Sequence, residues 1–182
     1  MKKINVKRIT ALGVITALSI VLVMLIHFPL IPTAAFLEYD PADIPIYIST
    51  LIYGPLPGLL ITIAVSLIQG LTVSSASGMY GIIMHIISTG AFVLTAGFVY
   101  RLGKNKAVFL PLSLVVGVVV TTAIMIPANL IITPLFMCTP VEFVKEMLVP
   151  AIIPFNLFKQ CINAFITGVL YIPLVKAAKK WF

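Results

Sequence analysis

The stretch PAIIPFNLFKQCINAFITGVLY, which runs from Pro150 to Tyr171, decides how this chain folds. It is long enough to cross a bilayer as a helix, yet it carries polar side chains in its middle, including the ammonium of Lys159. Placing an ammonium near the centre of the hydrocarbon costs at least about 2.5–3.5 kcal/mol. We therefore expect this helix to turn its polar side towards protein, water or a ligand.

Helical spacing gathers the polar residues of this stretch on one face. Asn156, Lys159 and Asn163 stand at i, i+3 and i+7, which makes a single stripe that points inward. If the helix begins near Pro150, Lys159 lies about 14 Å from its outer end, which is too deep for comfortable snorkelling. Lys159 therefore needs a partner, which is either a ligand or an acid of the chain itself.

The composition indicates an integral membrane protein. The chain is 61% hydrophobic and 9% charged, whereas soluble domains carry about 25% charged residues. Its 182 residues leave room for about six membrane helices, so we expect one all-α domain over residues 1–182. The net charge of +7 does not indicate nucleic-acid binding, because the basic residues collect at the chain ends and in one short loop, where they set topology.

Charges and helix breakers predict the topology. A basic N-terminus precedes a first span over residues 9–28, and an acidic loop follows it, so the N-terminus should be cytoplasmic and the loop outside. Helix-breaking residues at 54–58 and 72–78 predict three helices near 44–54, 58–71 and 79–100. The first two are too short to cross the hydrocarbon layer unaided, so neighbouring helices must shield them from lipid. The basic loop at residues 101–106 should be cytoplasmic. Since the acidic loop lies outside, an odd number of membrane crossings must separate the two loops. We favour three, with one crossing plus a re-entrant hairpin as the alternative.

The second half of the chain predicts two further spans. Residues 107–141 hold one span and a capping loop, and Pro127 should kink the helix just before Asn129, whose amide we expect to face inward. The loop at residues 139–149 fits the outside. The last span then returns to a lysine-rich C-terminus, which gives six transmembrane helices with both ends in the cytoplasm.

The sequence indicates binding rather than catalysis. It contains no catalytic triad, HExxH or CxxC pattern, metal-ligand spacing or P-loop, so we predict no enzyme and no metal, and any use of ATP must come from another chain. His85 stands alone in an apolar helix, which is typical of a packing residue. The inward amides of Asn129 and Asn156, the amine of Lys159 and the aromatic, acidic loop predict a pocket near the outer face. Amides both donate and accept, which suits a neutral heterocycle.

Two segments of the chain resemble a known family of membrane proteins. The segment FLEYDPADIP at residues 36–45, followed by GPLPG at 54–58, resembles the first outer loop and second helix of the substrate-binding S-components of energy-coupling factor (ECF) vitamin transporters. The riboflavin-binding type is the most similar, because Asn129, Asn156 and Lys159 match its riboflavin-contacting positions. The resemblance implies that these three residues bind riboflavin as the transported ligand, with no other cofactor.

The resemblance also implies how the loop and the first helix work. The loop with Phe36, Tyr39 and Asp40 would close above the ligand. Gly13 and Ala17 are the counterpart of the small-residue pair with which the family's first helix meets a transmembrane coupling subunit, itself driven by two ATPase subunits. The protein would then sit in the bacterial plasma membrane.

Several alternatives stay open. Residues 74–77 are more polar than the apolar linker expected in the riboflavin-binding type, so FMN, folate or pantothenate remain candidate substrates. A membrane binding or assembly protein without transport activity is the alternative from another class. Lys159 would either donate to a ring carbonyl or pair with Asp40 or Asp43 to latch the loop.

Overall fold

The computed structural model describes residues 6–181, and their side chains up to residue 176. The helices of this part are α1 (Val6–Leu25), α2 (Asp43–Tyr53), α3 (Pro55–Leu71), α4 (Gly78–Leu102), α5 (Lys106–Met137), α6 (Val141–Met147) and α7 (Ile153–Trp181). A π-helical turn, Leu148–Ile152, joins α6 to α7 without a break, so six helical segments result, as predicted. The lysines predicted to anchor both ends at positions 2, 3, 179 and 180 lie outside the described side chains.

Within residues 6–181, four segments are long and apolar enough to cross a membrane. They are α1, residues 75–102, α5 and residues 141–176. The helix α3 is shorter, and α2 has only 11 residues. The prediction that the short pieces need shielding is confirmed for α2, because residues 43–51 are all buried and the helix packs against α1, α3, α4 and α7.

The outer loop adds a small element that the all-α prediction lacks. Two antiparallel strands, β1 (Phe28–Pro29) and β2 (Glu38–Tyr39), flank a 3₁₀ turn at Pro32–Ala34. Apolar side chains of this loop pack on α6, the π-helical turn and α7 in a cluster that includes Leu37, Val144 and Ile152. This packing pulls the following residues into the bundle, so α2 begins inside it, at the fully buried Asp43.

Basic residues gather at one end of the bundle, which we call the basic end. Arg8 of α1 and Arg101 of α4 each donate a hydrogen bond to the carbonyl oxygen of Tyr53, at 3.2 Å and 2.9 Å, so they cap the last turn of α2. The chain then reverses at Gly54. Its φ of 103° is a backbone conformation that glycine adopts without strain. A Cβ atom there would also collide with the Arg101 guanidinium.

The opposite end, which we call the loop end, holds the outer loop and residues 72–77. The hydroxyl of Ser74 donates to Glu38 Oε2 at 3.4 Å across these two connections. The chain therefore passes between the two ends of the bundle three times, in α2, α3 and α4; that these are three membrane crossings stays a prediction. Tyr100 and Tyr171 share a hydroxyl contact of 2.9 Å, which brings the later part of α7 to the basic end as well.

One local prediction differs from the structure. The segment at residues 139–149, expected to be a loop, is mostly the helix α6, because it buries Val144 under the outer loop. The helix α5 runs through Pro127, so the kink expected there stays a prediction, and it ends at Met137, where Cys138 adopts a left-handed conformation with a φ of 52°.

Candidate binding site

A large cavity lies at the loop end. Its lining residues surround about 910 Å³ of space, a figure that includes open solvent at the mouth. Its walls come from the outer loop and from α3, α4, α5 and α7. The predicted site residues that line it are Phe36, Asp40, Asn129, Asn156 and Lys159.

The two asparagines of the cavity wall are anchored to their own helices. Asn129 Nδ2 donates to the Met125 carbonyl at 2.8 Å, and its Oδ1 accepts from the Thr133 hydroxyl at 2.9 Å. Asn156 Nδ2 donates to the Ile152 carbonyl at 2.8 Å. Within the described part of the chain no donor reaches Asn156 Oδ1, so this oxygen is available to a ligand.

Lys159 pairs with the outer loop. Its ammonium lies 2.7 Å from Asp40 Oδ2 and 3.5 Å from the Glu38 carbonyl oxygen. The Asp40 side chain is 2% exposed and also accepts from the Ala42 backbone N–H at 3.1 Å, which fixes its orientation. The structure therefore contains the latch between Lys159 and Asp40, which was one of the two roles considered for this lysine.

Asn163 of α7 also connects this helix to the outer loop through hydrogen bonds. Its amide nitrogen donates to the Asp40 carbonyl at 3.3 Å and to Asp43 Oδ2 at 3.4 Å, and its Oδ1 accepts from the Tyr39 hydroxyl at 3.1 Å. Burial and the nearby Asp40 carboxylate raise the pKa of the Tyr39 hydroxyl, so it keeps its proton and donates. Tyr39 supports the loop in this way but does not line the cavity.

Asp43 sits where α2 meets α4. Its Oδ1 accepts from the Thr89 hydroxyl at 2.8 Å and lies 3.3 Å from His85 Nε2. The ligand atoms of Asp40, Asp43 and His85 fall within 4.8 Å of one another, a spacing that could hold a metal ion. The Lys159 ammonium, however, already neutralises the Asp40 carboxylate.

Several cavity residues were not predicted as site residues. Ser66, His85 and Ser88 line the cavity, and Ser88 accepts from Gln160 Nε2 at 3.2 Å. The sequence carried one signal for them, because His85 and Ser88 stand at i and i+3 and so share a face of α4. The expectation that His85 only packs is incomplete, since its ring also forms part of the cavity wall.

Aromatic rings form one part of the cavity wall. The ring centroid of Phe136 lies 6.3 Å from that of Phe36 and 6.0 Å from that of Tyr80, so the loop, α5 and α4 meet there through ring contacts. All three rings line the cavity and give this part of its wall an aromatic character.

The predicted docking residues lie away from the cavity. Gly13 and Ala17 are exposed on α1, a helix of which only Ser19 and Val23 are buried. A Cβ atom added at Gly13 would meet nothing within 4 Å, so this small residue is not needed for packing inside the chain.

The fold and the cavity are those expected of a membrane-embedded binding protein whose candidate site is partly covered by an outer loop. Residues 7–171 match the family model described as "ECF transporter, substrate-specific component". The chain belongs to this family. It is therefore a transporter component and not an enzyme, and it is a multi-pass protein of the bacterial plasma membrane. Membership implies an energising module as partner and a vitamin as substrate.

Named relatives agree with this family. The chain is 28% identical over 178 residues to riboflavin transporter FmnP of Bacillus subtilis (strain 168), with 93% of each chain covered. It is 25% identical to riboflavin transporter RibU of Staphylococcus aureus (strain TCH60), which covers 98% of this chain and 97% of the relative. A solved structure titled "Structure and mechanism of the S component of a bacterial ECF transporter" superposes with a TM-score of 0.81 at 25% identity and covers 95% of this chain and 98% of that chain.

Proposed function

We propose that this chain captures riboflavin at the outer face of the membrane and delivers it to the cytoplasm together with an ATP-driven coupling module. The observation that carries this proposal is the shared cavity of Asn129, Asn156 and Lys159, the residues at which the sequence resembles riboflavin-binding S-components. The names of the two relatives, which match over nearly their whole length, support the same substrate.

The lining of the cavity suits a flat ring with one polar edge. Phe36, Phe136 and Phe155 supply aromatic surface for the apolar part of a flavin. The free Oδ1 of Asn156 can accept from a ring N–H. Ser74 and Gln69 lie on the wall formed by α3 and the 72–77 connection, where hydroxyl and amide groups suit a sugar-alcohol chain.

The charges of the cavity favour a neutral ligand. Asp40 and Lys159 are paired with each other, and the other carboxylate of the wall, Glu38, would repel an anion. FMN, folate and pantothenate are all anionic at neutral pH, and each would place a charge where no unpaired lysine or arginine lines the described wall. Riboflavin avoids that cost because it is uncharged.

The two ends of the bundle suit delivery across the membrane. We assign the basic end to the cytoplasm by the positive-inside rule, which puts both chain termini inside and the cavity outside. The exposed small residues Gly13 and Ala17 would let a transmembrane coupling subunit approach α1 closely, and two ATPase subunits would drive that subunit.

The direct test is flavin binding by the purified protein. We expect a flavin absorbance spectrum in the protein as isolated, and quenching of riboflavin fluorescence with sub-micromolar affinity. FMN should bind at least about tenfold more weakly, which corresponds to about 1.4 kcal/mol. Folate and pantothenate should not compete.

Other outcomes would reassign the substrate. If riboflavin bound only above micromolar concentrations while one of the anionic vitamins bound tightly, the protein would be an S-component for that vitamin. If riboflavin bound tightly but cells that also express a coupling module took up none, the chain would be a binding protein without transport activity.

A further inference from the structure

The hydroxyl of Ser88 in α4 is not used as helical serine hydroxyls often are. A serine within a helix often donates to the carbonyl oxygen three or four residues earlier. Ser49, Ser66 and Ser113 do so here, at 2.7–2.8 Å. Ser88 is only 8% exposed, yet within the described residues its side chain makes one hydrogen bond, in which Oγ accepts from Gln160 Nε2 at 3.2 Å. The proton of this buried hydroxyl therefore has no acceptor on the described part of the chain.

The residues behind Ser88 fix the direction of this hydrogen bond. Gln160 is fully buried, and its Oε1 accepts from the Tyr47 hydroxyl at 2.5 Å. Turning the amide round would offer Tyr47 an N–H in place of an acceptor, and would leave the buried Tyr47 proton unpaired among the described residues. Stacking on Phe92, with ring centroids 3.7 Å apart, holds the Tyr47 ring in place. Gln160 therefore donates to Ser88, and the Ser88 proton is left over.

Ser88 lies deep in the cavity wall. The residues of α4 that line the cavity run from Tyr80, near the loop end, to Ser88, which lies about 12 Å further along the helix at 1.5 Å per residue. Gln160 and Tyr47 do not line the cavity and stand behind its surface. Because no described protein atom accepts the Ser88 proton, the acceptor must come from a molecule inside the cavity.

We propose that Ser88 is a substrate-binding residue whose hydroxyl donates a hydrogen bond to an oxygen of the bound vitamin, and that Gln160 and Tyr47 position it. This role rests on the proposed function, because the cavity must be the substrate site. Asn156 offers the ligand an acceptor on α7, and Ser88 offers it a donor on α4. Riboflavin carries suitable oxygens in two places, which are its two ring carbonyls and the hydroxyls of its sugar-alcohol chain.

The same contact would contribute to substrate selection. A molecule that turned a methyl group or an N–H towards Ser88 would leave the hydroxyl proton unpaired in a buried site. Sites built to form a hydrogen bond with a substrate reject analogues that lack the matching group. Ser88 therefore favours ligands with an oxygen at this depth of the cavity.

The first experiment compares Ser88→Ala with the parent by fluorescence titration. Riboflavin affinity should fall about tenfold, because one hydrogen bond to the ligand is lost, while thermal unfolding in detergent still shows a folded bundle. Ser113→Ala is the matched control, since it removes a buried serine that donates within its own helix and does not line the cavity. Unchanged affinity in Ser88→Ala would overturn the proposal.

Ligand analogues distinguish a direct contact from a purely structural role of Ser88. Lumiflavin has a methyl group in place of the sugar-alcohol chain, and 2-thioriboflavin and 4-thioriboflavin each have sulfur, a weaker acceptor, in place of one ring carbonyl oxygen. The analogue that lacks the contacted oxygen should bind the parent and Ser88→Ala equally well in competition with riboflavin. The other two should keep the difference of about tenfold. An equal loss for all three analogues would mean that Ser88 only supports the fold.

The positioning residues have a test of their own. In Tyr47→Phe with Gln160→Met, both polar partners are replaced together, and the Ser88 hydroxyl is free to turn to the Met84 carbonyl oxygen four residues earlier. Riboflavin affinity should fall severalfold, and adding Ser88→Ala should cause little further loss, because all three changes act on one contact. Fully additive losses would contradict the positioning role.

A wrong substrate can be distinguished from a wrong role for Ser88. If the parent bound FMN, folate or pantothenate instead of riboflavin, the proposed substrate would be wrong, and Ser88→Ala would be titrated with that vitamin, since each of them carries oxygen acceptors. A loss of affinity there would keep Ser88 in the site, and no loss would remove it. Absence of binding of all four vitamins to the parent would refute both the proposed function and the role of Ser88.

Discussion

At the scale of single residues, Asn129 and Asn156 have the same side chain but differ in whether their side-chain oxygen already accepts a hydrogen bond. Both are buried, and both anchor their amide nitrogen on the carbonyl four residues earlier. The oxygen of Asn129 is occupied by Thr133, whereas the oxygen of Asn156 is not. A ligand that donates one hydrogen bond should therefore depend more on Asn156.

We expect Asn156→Ala to weaken riboflavin binding by about 1–3 kcal/mol, because a buried hydrogen bond is lost, and to leave the bundle folded. Asn129→Ala should weaken binding less, through the loss of its support for Thr133. Leu157→Ala is the matched control, since Leu157 neighbours Asn156 but is exposed and does not line the cavity. Fluorescence titration provides the measurement, and unchanged affinity in Asn156→Ala would remove this residue from the site.

At the scale of elements, the sequence predicts those features that a local pattern controls. The polar stripe of α7 was predictable because an ammonium inside an apolar helix must face inward, and Asn156, Lys159 and Asn163 are indeed buried. The chain reversal at Gly54 was predictable because glycine and proline residues, which interrupt helices, cluster at positions 54–58. The helix α6 was not, because a seven-residue helix has no membrane-length signal and forms here by burying Val144 under the outer loop.

The same reasoning explains what was missed in the site. His85 and Asp43 meet from different helices, and their contact depends on how α4 is rotated against α2. The segments around them are apolar on all sides, so periodicity does not reveal that rotation.

The latch between the outer loop and α7 yields a prediction at this scale. Lys159→Met should destabilise the protein by about 3–5 kcal/mol, because it leaves the Asp40 carboxylate buried and unpaired. Combining it with Asp40→Asn should recover most of that stability. Thermal unfolding in detergent checks this expectation. If both single variants unfolded like the parent, the pair would not hold the loop.

Affinity in the same double variant separates the two roles of Lys159. Recovery of both stability and riboflavin binding would mean that the lysine only latches the loop. Recovery of stability without binding would mean that its ammonium also contacts the ligand.

At the scale of the whole molecule, binding and coupling occupy different surfaces. The cavity lies between the outer loop and α3, α4, α5 and α7, and α1 contributes no residue to its wall. The helix α1 instead exposes most of its surface, with Gly13 and Ala17 on the outer side. A substitution on the exposed side of α1 should therefore affect only the binding of a partner protein in the membrane.

This separation predicts that replacing Gly13 and Ala17 together by Leu leaves riboflavin affinity unchanged and abolishes uptake. Since a side chain at Gly13 meets nothing of this chain, the fold tolerates it, whereas a closely packed helix of the coupling subunit would not. Val169→Leu on the exposed side of α7 is the control for added bulk facing the membrane. Uptake of labelled riboflavin and co-purification with the coupling subunit are the two measurements. Normal uptake in the double variant would move the docking surface elsewhere, whereas loss of binding together with uptake would show that these residues support the fold.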